Sequence, residues 1–212
     1  MRLILIRHAQ SLANAQGRWQ GTMDFDLSND GLNQSQRLHE RFIKDALHPS
    51  HVYSSPLTRS YKTAEISFPQ RTIHKIPDLR ENDVGVFSGK TSEELSSEFA
   101  AIYKEFRRSR NFDLVPEAET RYQIRRRAER AVDFLIKGHN SQDFVIGYSH
   151  SGFLVYLISV ILGTNRVWNL RIANTAIFDF EIDSDNWDAT NSMTSGHHHF
   201  QINKFGDDDH LR

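Results

Sequence analysis

Four places in the chain set residues that can bind or attack an anion next to short apolar runs: Arg7-His8, Arg59, Glu81 and His150. Leu3 to Ile6 is an unbroken run of branched apolar side chains, too short for a helix. It reads as a strand buried on both faces in the middle of a parallel sheet. The run delivers Arg7 and His8 together, followed by the small or polar Ala9, Gln10 and Ser11. Ligands of open α/β sheets bind at the carboxyl ends of the strands. A guanidinium beside an imidazole there points to an anion site with a nucleophile or base inside it. His150 follows Val145-Ile-Gly-Tyr-Ser149 and precedes Ser151-Gly152, where the free N–H groups of a helix start would face an anion. Arg59 falls in the first turn of a helix opened by Ser55-Pro56-Leu-Thr-Arg59, a place where a cation opposes the helix dipole unless an anion is near. Glu81 sits in the loop Leu79 to Gly85, where pairing with Arg80 in solvent is its plainest use. Each residue alone has such an ordinary explanation. On a parallel sheet, however, all of them gather at one edge.

The elements that must carry these residues alternate along the chain. Ser11 to Gln20, with Asn14, Gly17 and Arg18, is a loop or short helix leaving the first strand. Asp24 to Gly31 has turn chemistry, and Ser28 caps a helix with Leu32, Ser35, Leu38, Phe42 and Leu47 near helical spacing. His51 to Ser54 and Thr72 to Ile76 are short strands, and Tyr61, Ala64 and Ile66 lie on the helix between them. Thr91 caps another helix, with Glu94 at the third position of a capping box. Asn111 to Thr120, interrupted by Pro116, is irregular. Arg121 to Lys137 places Ile124, Ala128, Ala131 and Leu135 on one helical face and ends at Gly138. Asp143 to Tyr148 reads as a buried strand and Gly152 to Leu162 as a buried helix; Asn174 to Phe180 and Phe200 to Phe205 alternate as edge-type strands. The pattern is that of an α/β sandwich. His197-His-His199 reads as a solvated hairpin loop rather than a metal tract.

At 212 residues the chain suits a single domain over residues 1–212 with a sizeable core. Lys+Arg 26 nearly balances Asp+Glu 27, and a formal net charge of −1 gives no global attraction to nucleic acid or an anionic membrane. Any pull on an anionic substrate must be local. The absence of cysteine excludes disulfides, a thiol nucleophile and a thiolate metal site. The N-terminus lacks the apolar segment and cleavage site of a signal peptide, and the longest apolar stretch, Gly152 to Leu162, is too short to span a bilayer. A cytoplasmic protein is expected.

Arg7-His8-Ala9-Gln10-Ser11 with Asn14 resembles the Arg-His-Gly signature of the histidine phosphatase superfamily, the phosphoglycerate mutase-like fold. Tyr53-Ser-Ser-Pro-Leu-Thr-Arg59 with Thr63-Ala-Glu65, Leu79-Arg-Glu81 with Gly85 and Gly89, and Tyr148-Ser-His150-Ser-Gly152 resemble that family's later segments, in the same order. Ile202-Asn-Lys-Phe and His210-Leu211 resemble its last strand, so the likeness runs the length of the chain. It implies a three-layer α/β/α sandwich on a mostly parallel sheet with one antiparallel edge strand. It further implies that His8 takes the phosphoryl group as a phosphohistidine, that Arg7, Arg59 and His150 surround the phosphate oxygens, and that Glu81 protonates the leaving oxygen. Asn14 and Gln20 fall where the family places further phosphate or substrate contacts.

The chemistry is coherent on its own terms. Phosphoryl transfer asks for positioning and for neutralisation of the equatorial oxygens. Guanidiniums offer planar forks matched to phosphate and stay charged. A neutral imidazole supplies a nucleophile near pH 7 and splits one difficult displacement into two. No cofactor is called for, and no His/Asp/Glu spacing insists on a metal. Departures from the resemblance are Ala9 and Ser151 where glycine is usual, and Pro116-Glu-Ala-Glu119-Thr120 where a Gly-Glu-Ser segment is usual. Alanine at a position needing positive φ costs roughly 1 kcal/mol. The expected activity is hydrolysis of a small phosphorylated metabolite with release of inorganic phosphate; the resemblance also admits a homodimer. A cofactor-dependent phosphoglycerate mutase is the alternative, but Glu81-Asn-Asp-Val-Gly85 lacks the arginine and histidine of the mutase Glu-Arg-His-Tyr-Gly. A non-catalytic phospholigand-binding member is the other. Substrate choice is expected from Arg18 to Asp26 and Glu98 to Glu119, loops over the site, the second carrying Arg107, Arg108 and Arg110.

Overall fold

A computed structural model describes residues 1–167, 170–187 and 200–212 of the chain. Six strands form one sheet: β1 (Arg2–Arg7), β2 (His51–Ser54), β3 (Ile73–Lys75), β4 (Phe144–Ser149), β5 (Ile177–Ile182) and β6 (Phe200–Asp207). Their spatial order is β3-β2-β4-β1-β5-β6. β1 and β4 pair in parallel along their whole length, from Arg2 opposite Phe144 to Arg7 opposite Ser149, so His8 and His150 leave the sheet side by side. β2 joins β4 in parallel and β3 joins β2 likewise, which brings the end of β2 to the same edge.

The described helices are α1 (Leu12–Ala15), α2 (Asn29–Lys44), α3 (Thr58–Ser67), α4 (Ser92–Glu98), α5 (Ala100–Ser109), α6 (Arg121–Lys137) and α7 (Ser151–Ile161). Alternation along β1 sends its side chains to two cores. Leu3 and Leu5 join Ile124, Ala128 and Leu135 of α6 and Phe153 to Ile161 of α7 on one face. Ile4 and Ile6 meet Leu38 and Phe42 of α2 and Ala64 of α3 on the other. The result is a three-layer α/β/α sandwich, and β1 reads as a continuous apolar run because both of its faces are covered. A third, separate cluster of Val84, Phe87, Leu95, Tyr103, Phe106 and Val115 packs with Trp19 and Phe112 beside the sandwich.

Two expectations change, one about the strands and one about a loop. β5 is antiparallel to β1, and β6 is antiparallel to β5 and so runs with the other four. The single reversed strand is therefore interior; β6 covers it and is the edge. Alternation alone cannot tell an edge strand from an interior strand whose two faces differ in cover. In addition, Glu98 to Glu119 is not a loop throughout. α5 occupies Ala100–Ser109, buries Tyr103 and Phe106 one turn apart, and ends at Arg110 in the left-handed region with φ 52°. Its many charges lie on the outer face and hide a short amphipathic helix. The His197–His199 run lies outside the described residues.

Candidate active site

Arg7, His8, Asn14, Gln20, Arg59 and Glu81 share the wall of a cavity of about 1110 Å³ at the carboxyl edge of the sheet. His150 is fully buried behind that wall, with its ring centroid 4.9 Å from that of His8. The parallel pairing of β1 and β4 accounts for this closeness.

The protonation pattern of His8 follows from its partners. Its Nδ1 lies 2.6 Å from the Ala9 carbonyl, which can only accept, so Nδ1 carries the proton and Nε2 keeps the lone pair. Burial first, then the charges of Arg59 and Arg7, hold the His8 pKa well below its usual value, so the ring is neutral at pH 7. His150 is held down by the same causes, burial before Arg59 and His8. Its Nε2 is 2.8 Å from Ser55 Oγ, while its Nδ1 is buried with no partner among the described residues.

Arg59 is fully buried in the first turn of α3 and donates to the Met23 carbonyl at 2.8 Å and the Gly21 carbonyl at 2.9 Å. Burial lowers its pKa to about 10, which leaves it protonated at neutral pH. The anion expected near this misplaced cation includes one from the chain itself. Asp24 accepts from Thr58 N at 2.7 Å and from Thr58 Oγ1 at 2.6 Å, capping α3 and tying the Gly21–Asp24 loop over Arg59. Arg7 donates to the Ile172 carbonyl at 2.6 Å; burial lowers its pKa, with Glu81 acting in the opposite sense. The Nε groups of Arg7 and Arg59, like His150 Nδ1, are buried and unpartnered among the described residues. Buried polar groups are normally paired, so the two unpaired guanidinium N–H groups, in a cavity wall that also holds a neutral imidazole, suit a polyoxyanion.

Glu81 departs from the solvated pair with Arg80. Its carboxylate accepts from the N–H groups of Asn82 (2.9 Å), Gly152 (3.2 Å) and Phe153 (2.9 Å). The helix-start N–H groups of α7 therefore face an anion, as expected, but the anion is Glu81. Gly152 makes this contact fit: a Cβ built there would lie 2.7 Å from Glu81 Oε1 and 3.0 Å from Asn82 Nδ2. Asn14 closes a capping box with Ser11 at the start of α1, and Ser11 Oγ also reaches Gln20 Oε1 at 2.8 Å. Ser11 thus holds both amide side chains on the cavity wall, that of Asn14 through the Ser11 backbone N–H and that of Gln20 through the Ser11 hydroxyl.

Ala9 and Ser151 prove compatible with the loop. Neither has positive φ. Ala9 is fully buried and its N–H donates to Thr63 Oγ1 at 3.0 Å; Ser151 opens α7 and lines the cavity. Of the basic segment, Arg110 lines the cavity, whereas Arg108 pairs with Glu105 at 2.6 Å. Phe106, Phe112 and Trp19 add an aromatic wall, and Arg121, Tyr122 and Arg125 complete the far side.

Sequence reasoning missed three supporting residues. Thr63 and Ser55, one under Ala9 and one against His150, lie within motif segments and carry no signal of their own. Arg127 is buried on α6, where charge periodicity suggests only a solvated arginine. Its guanidinium meets Glu119 at 2.7 and 2.8 Å and the carbonyls of Asp78 and Arg80 at 2.9 and 2.8 Å, and lies 3.8 Å over the Phe153 ring. It thereby pins the Glu81 loop to α6 and α7.

A parallel-sheet edge that joins a neutral buried histidine to the buried Arg59 and the half-buried Arg7 defines a phosphoryl-handling α/β enzyme. The family model of the histidine phosphatase superfamily (branch 1) matches residues 3–193, and the chain belongs to that superfamily. It is 29% identical to the metal-independent phosphoserine phosphatase of Arabidopsis thaliana, covering 91% of this chain and 83% of that one. It is also 29% identical to phosphoglycerate mutase-like protein 4 of Arabidopsis thaliana, over 87% of this chain and 81% of that one. The solved structure of Bacillus stearothermophilus YhfR superposes with a TM-score of 0.82 at 25% identity, covering 100% of this chain and 99% of that one. Among the described residues no helix is long and apolar enough to cross a membrane, and no group of three or more His, Cys, Asp or Glu could hold a metal ion.

Proposed function

We propose that the protein hydrolyses phosphate monoesters of small metabolites through a phosphohistidine on His8, acting in the cytoplasm as a single domain over residues 1–212. The observation that carries this reading is the His8 environment. Nδ1–H is committed to the Ala9 carbonyl, which leaves the Nε2 lone pair free in a site that also holds the unpartnered Nε–H groups of Arg7 and Arg59 and the buried ring of His150. His8 Nε2 attacks phosphorus, and the bond from phosphorus to the ester oxygen breaks. Arg7, Arg59 and His150 hold the equatorial oxygens, and charge-assisted bonds of this kind are strong. The alcohol leaves with a proton from Glu81. Water then attacks the phosphohistidine, Glu81 recovers a proton, and release of inorganic phosphate restores the lone pair. Asn14 and Gln20 hold the outer phosphate oxygens or the adjoining part of the substrate.

Relatives named phosphoserine phosphatase support a substrate with a carboxylate near the phosphate. Arg110, which lines the same cavity, is the group we assign to it. The mutase-like relatives keep a mutase reading in view. Asn82 and Asp83 weigh against it. Asn82 is buried with its Oδ1 3.3 Å from Arg127, and Asp83 accepts from Gly85 N at 2.9 Å, so neither grips a ligand as a cation would.

His8→Ala is expected to abolish turnover of phosphoserine, sugar phosphates and p-nitrophenyl phosphate while the protein stays folded. Quenching the parent with labelled substrate should trap an acid-labile, base-stable adduct on His8. Turnover retained in the alanine variant would sink the assignment.

A further inference from the structure

The turn Asp209–Leu211 lies against Thr175, in the segment that leads into β5. His210 Nε2 is 2.8 Å from Thr175 Oγ1. That hydroxyl has spent its own hydrogen on the Asn174 carbonyl at 2.7 Å, so it accepts here and His210 Nε2–H donates. Thr175 is fully buried and holds φ 57°, a conformation that a β-branched residue adopts only under constraint. From that conformation the Thr175 N–H reaches the carbonyls of Arg7 at 3.1 Å and His8 at 3.4 Å. The neighbouring Asn174 Nδ2 donates to the His8 carbonyl at 2.9 Å. The turn itself is anchored from outside: Arg37 of α2 donates to the Leu211 carbonyl at 2.9 Å.

We infer that His210 is a positioning residue for His8, acting through the strained Asn174-Thr175 pair that grips the His8 backbone. This rests on the reading of His8 as nucleophile. A peptide unit held at its carbonyl from one side fixes where the imidazole of the same residue points. The other restraints on His8 are its N–H on the Ser149 carbonyl at 2.9 Å, its ring on Ala9, and the Ala9 N–H of the same peptide unit on Thr63 Oγ1 at 3.0 Å. None of them holds the carbonyl oxygen. Without the His210 bond Thr175 can relax toward ordinary φ, and its N–H then turns away from Arg7 and His8. Of the phosphate donors, Arg59 and His150 stand on other elements, and Arg7 keeps its own N–H on the Ala176 carbonyl at 3.2 Å and its guanidinium on the Ile172 carbonyl at 2.6 Å, so the loss should fall on the chemical step more than on oxyanion binding.

The test compares His210→Ala, His210→Gln and Asn174→Ala with the parent, using single-turnover phosphorylation by p-nitrophenyl phosphate and inhibition by vanadate. Misplacing a reacting group by a fraction of an ångström predicts a loss of about tenfold in the phosphorylation rate for His210→Ala. Its vanadate inhibition constant should stay within about twofold. Glutamine, which can place an N–H near the same point, should recover most of the rate. The double variant His210→Ala/Asn174→Ala should lose less than the product of the single losses, since both act through one grip. Thr175→Val keeps the branched shape and removes both hydroxyl bonds. It should give the same split, and it carries the test should His210→Ala fail to fold. A parent-like rate in the folded His210→Ala and Thr175→Val variants overturns the role. So does an equal loss of rate and vanadate affinity that glutamine does not repair, which would mark general loosening. His8→Ala, run alongside, separates the two ideas: turnover retained there overturns the reading of His8 itself, whatever the His210 variants do.

Discussion

At the scale of single residues, the site depends on which atoms are already engaged. His8 Nδ1 is spent on a carbonyl, and the α7 N–H groups are spent on Glu81. Gly152 is the narrowest point in that arrangement. A methyl group there would stand 2.7 Å from Glu81 Oε1, closer than any real contact, so the carboxylate must leave its cap. Gly152→Ala is therefore expected to behave as a partial copy of Glu81→Gln. A missing general acid typically costs about 10²–10⁴-fold, and the loss is greatest for poor leaving groups. Phosphoserine hydrolysis should fall far more than phosphorylation of His8 by p-nitrophenyl phosphate in both variants. Equal losses for the two substrates would show that Glu81 positions substrate without donating a proton. The identity of Glu81 was readable from its motif. Its distant partners were not, because two of the three N–H groups it uses lie 71 and 72 residues away in sequence.

At the scale of elements, the strands that end in the site were legible and the lid over it was not. β1, β4 and α6 each carry a periodic pattern fixed by burial on a large core, so pattern and element coincide. α5 buries only Tyr103 and Phe106 into a small local cluster, and its outward charges dominate the reading of that stretch. α6 holds a second lesson, since one of its arginines faces inward. Arg127 is the cation that ties Glu119 and the Asp78–Asn82 loop to α6. Removing one member of such a buried pair typically costs about 3–5 kcal/mol. Arg127→Met should lower stability by roughly this amount in denaturant melts, and it should also depress turnover by freeing the Glu81 loop. The paired replacement Arg127→Met/Glu119→Leu should regain much of the stability without regaining the turnover. Failure of the double variant to regain stability would show that the carbonyl contacts of Arg127, rather than its ion pair, hold the loop.

At the scale of the whole molecule, near neutrality of charge conceals two buried, uncharged histidines beside the buried Arg59 and the half-buried Arg7. Both His8 and His150 have pKa values lowered well below 6.5 by burial and by those guanidiniums. The native state therefore binds fewer protons than the unfolded chain once the pH drops under 6.5, and stability must fall with pH in that range. Above about pH 6.5 neither state protonates these rings and the term vanishes. Thermal melts from pH 7.5 to 5 should show a decline that His150→Ala makes shallower. Inorganic phosphate should offset part of it, because an anion between the rings favours their charged forms. A flat profile between pH 6.5 and 5 would contradict the burial of both rings in neutral form. None of this was visible in the composition, which counts histidines without saying which are enclosed. The order of the strands was equally hidden at one point: β5 and β6 share an alternating pattern, and only their pairing shows that β5 is interior.

The separate aromatic cluster under α4 and α5 sets a hierarchy of motions. Because Phe87, Tyr103 and Phe106 pack with one another and lie outside both sheet cores, their region can detach without exposing β1 or β4. Sub-global openings of this kind cost less than global unfolding. The backbone amides of α5 should therefore exchange with solvent deuterium through an opening that is nearly independent of denaturant, while those of β1 follow the global isotherm. A single shared isotherm would mean the two regions unfold as one. The cover over the cavity can then rise and settle many times within the lifetime of the folded sheet, a clock for substrate entry and phosphate escape that runs apart from the clock of unfolding.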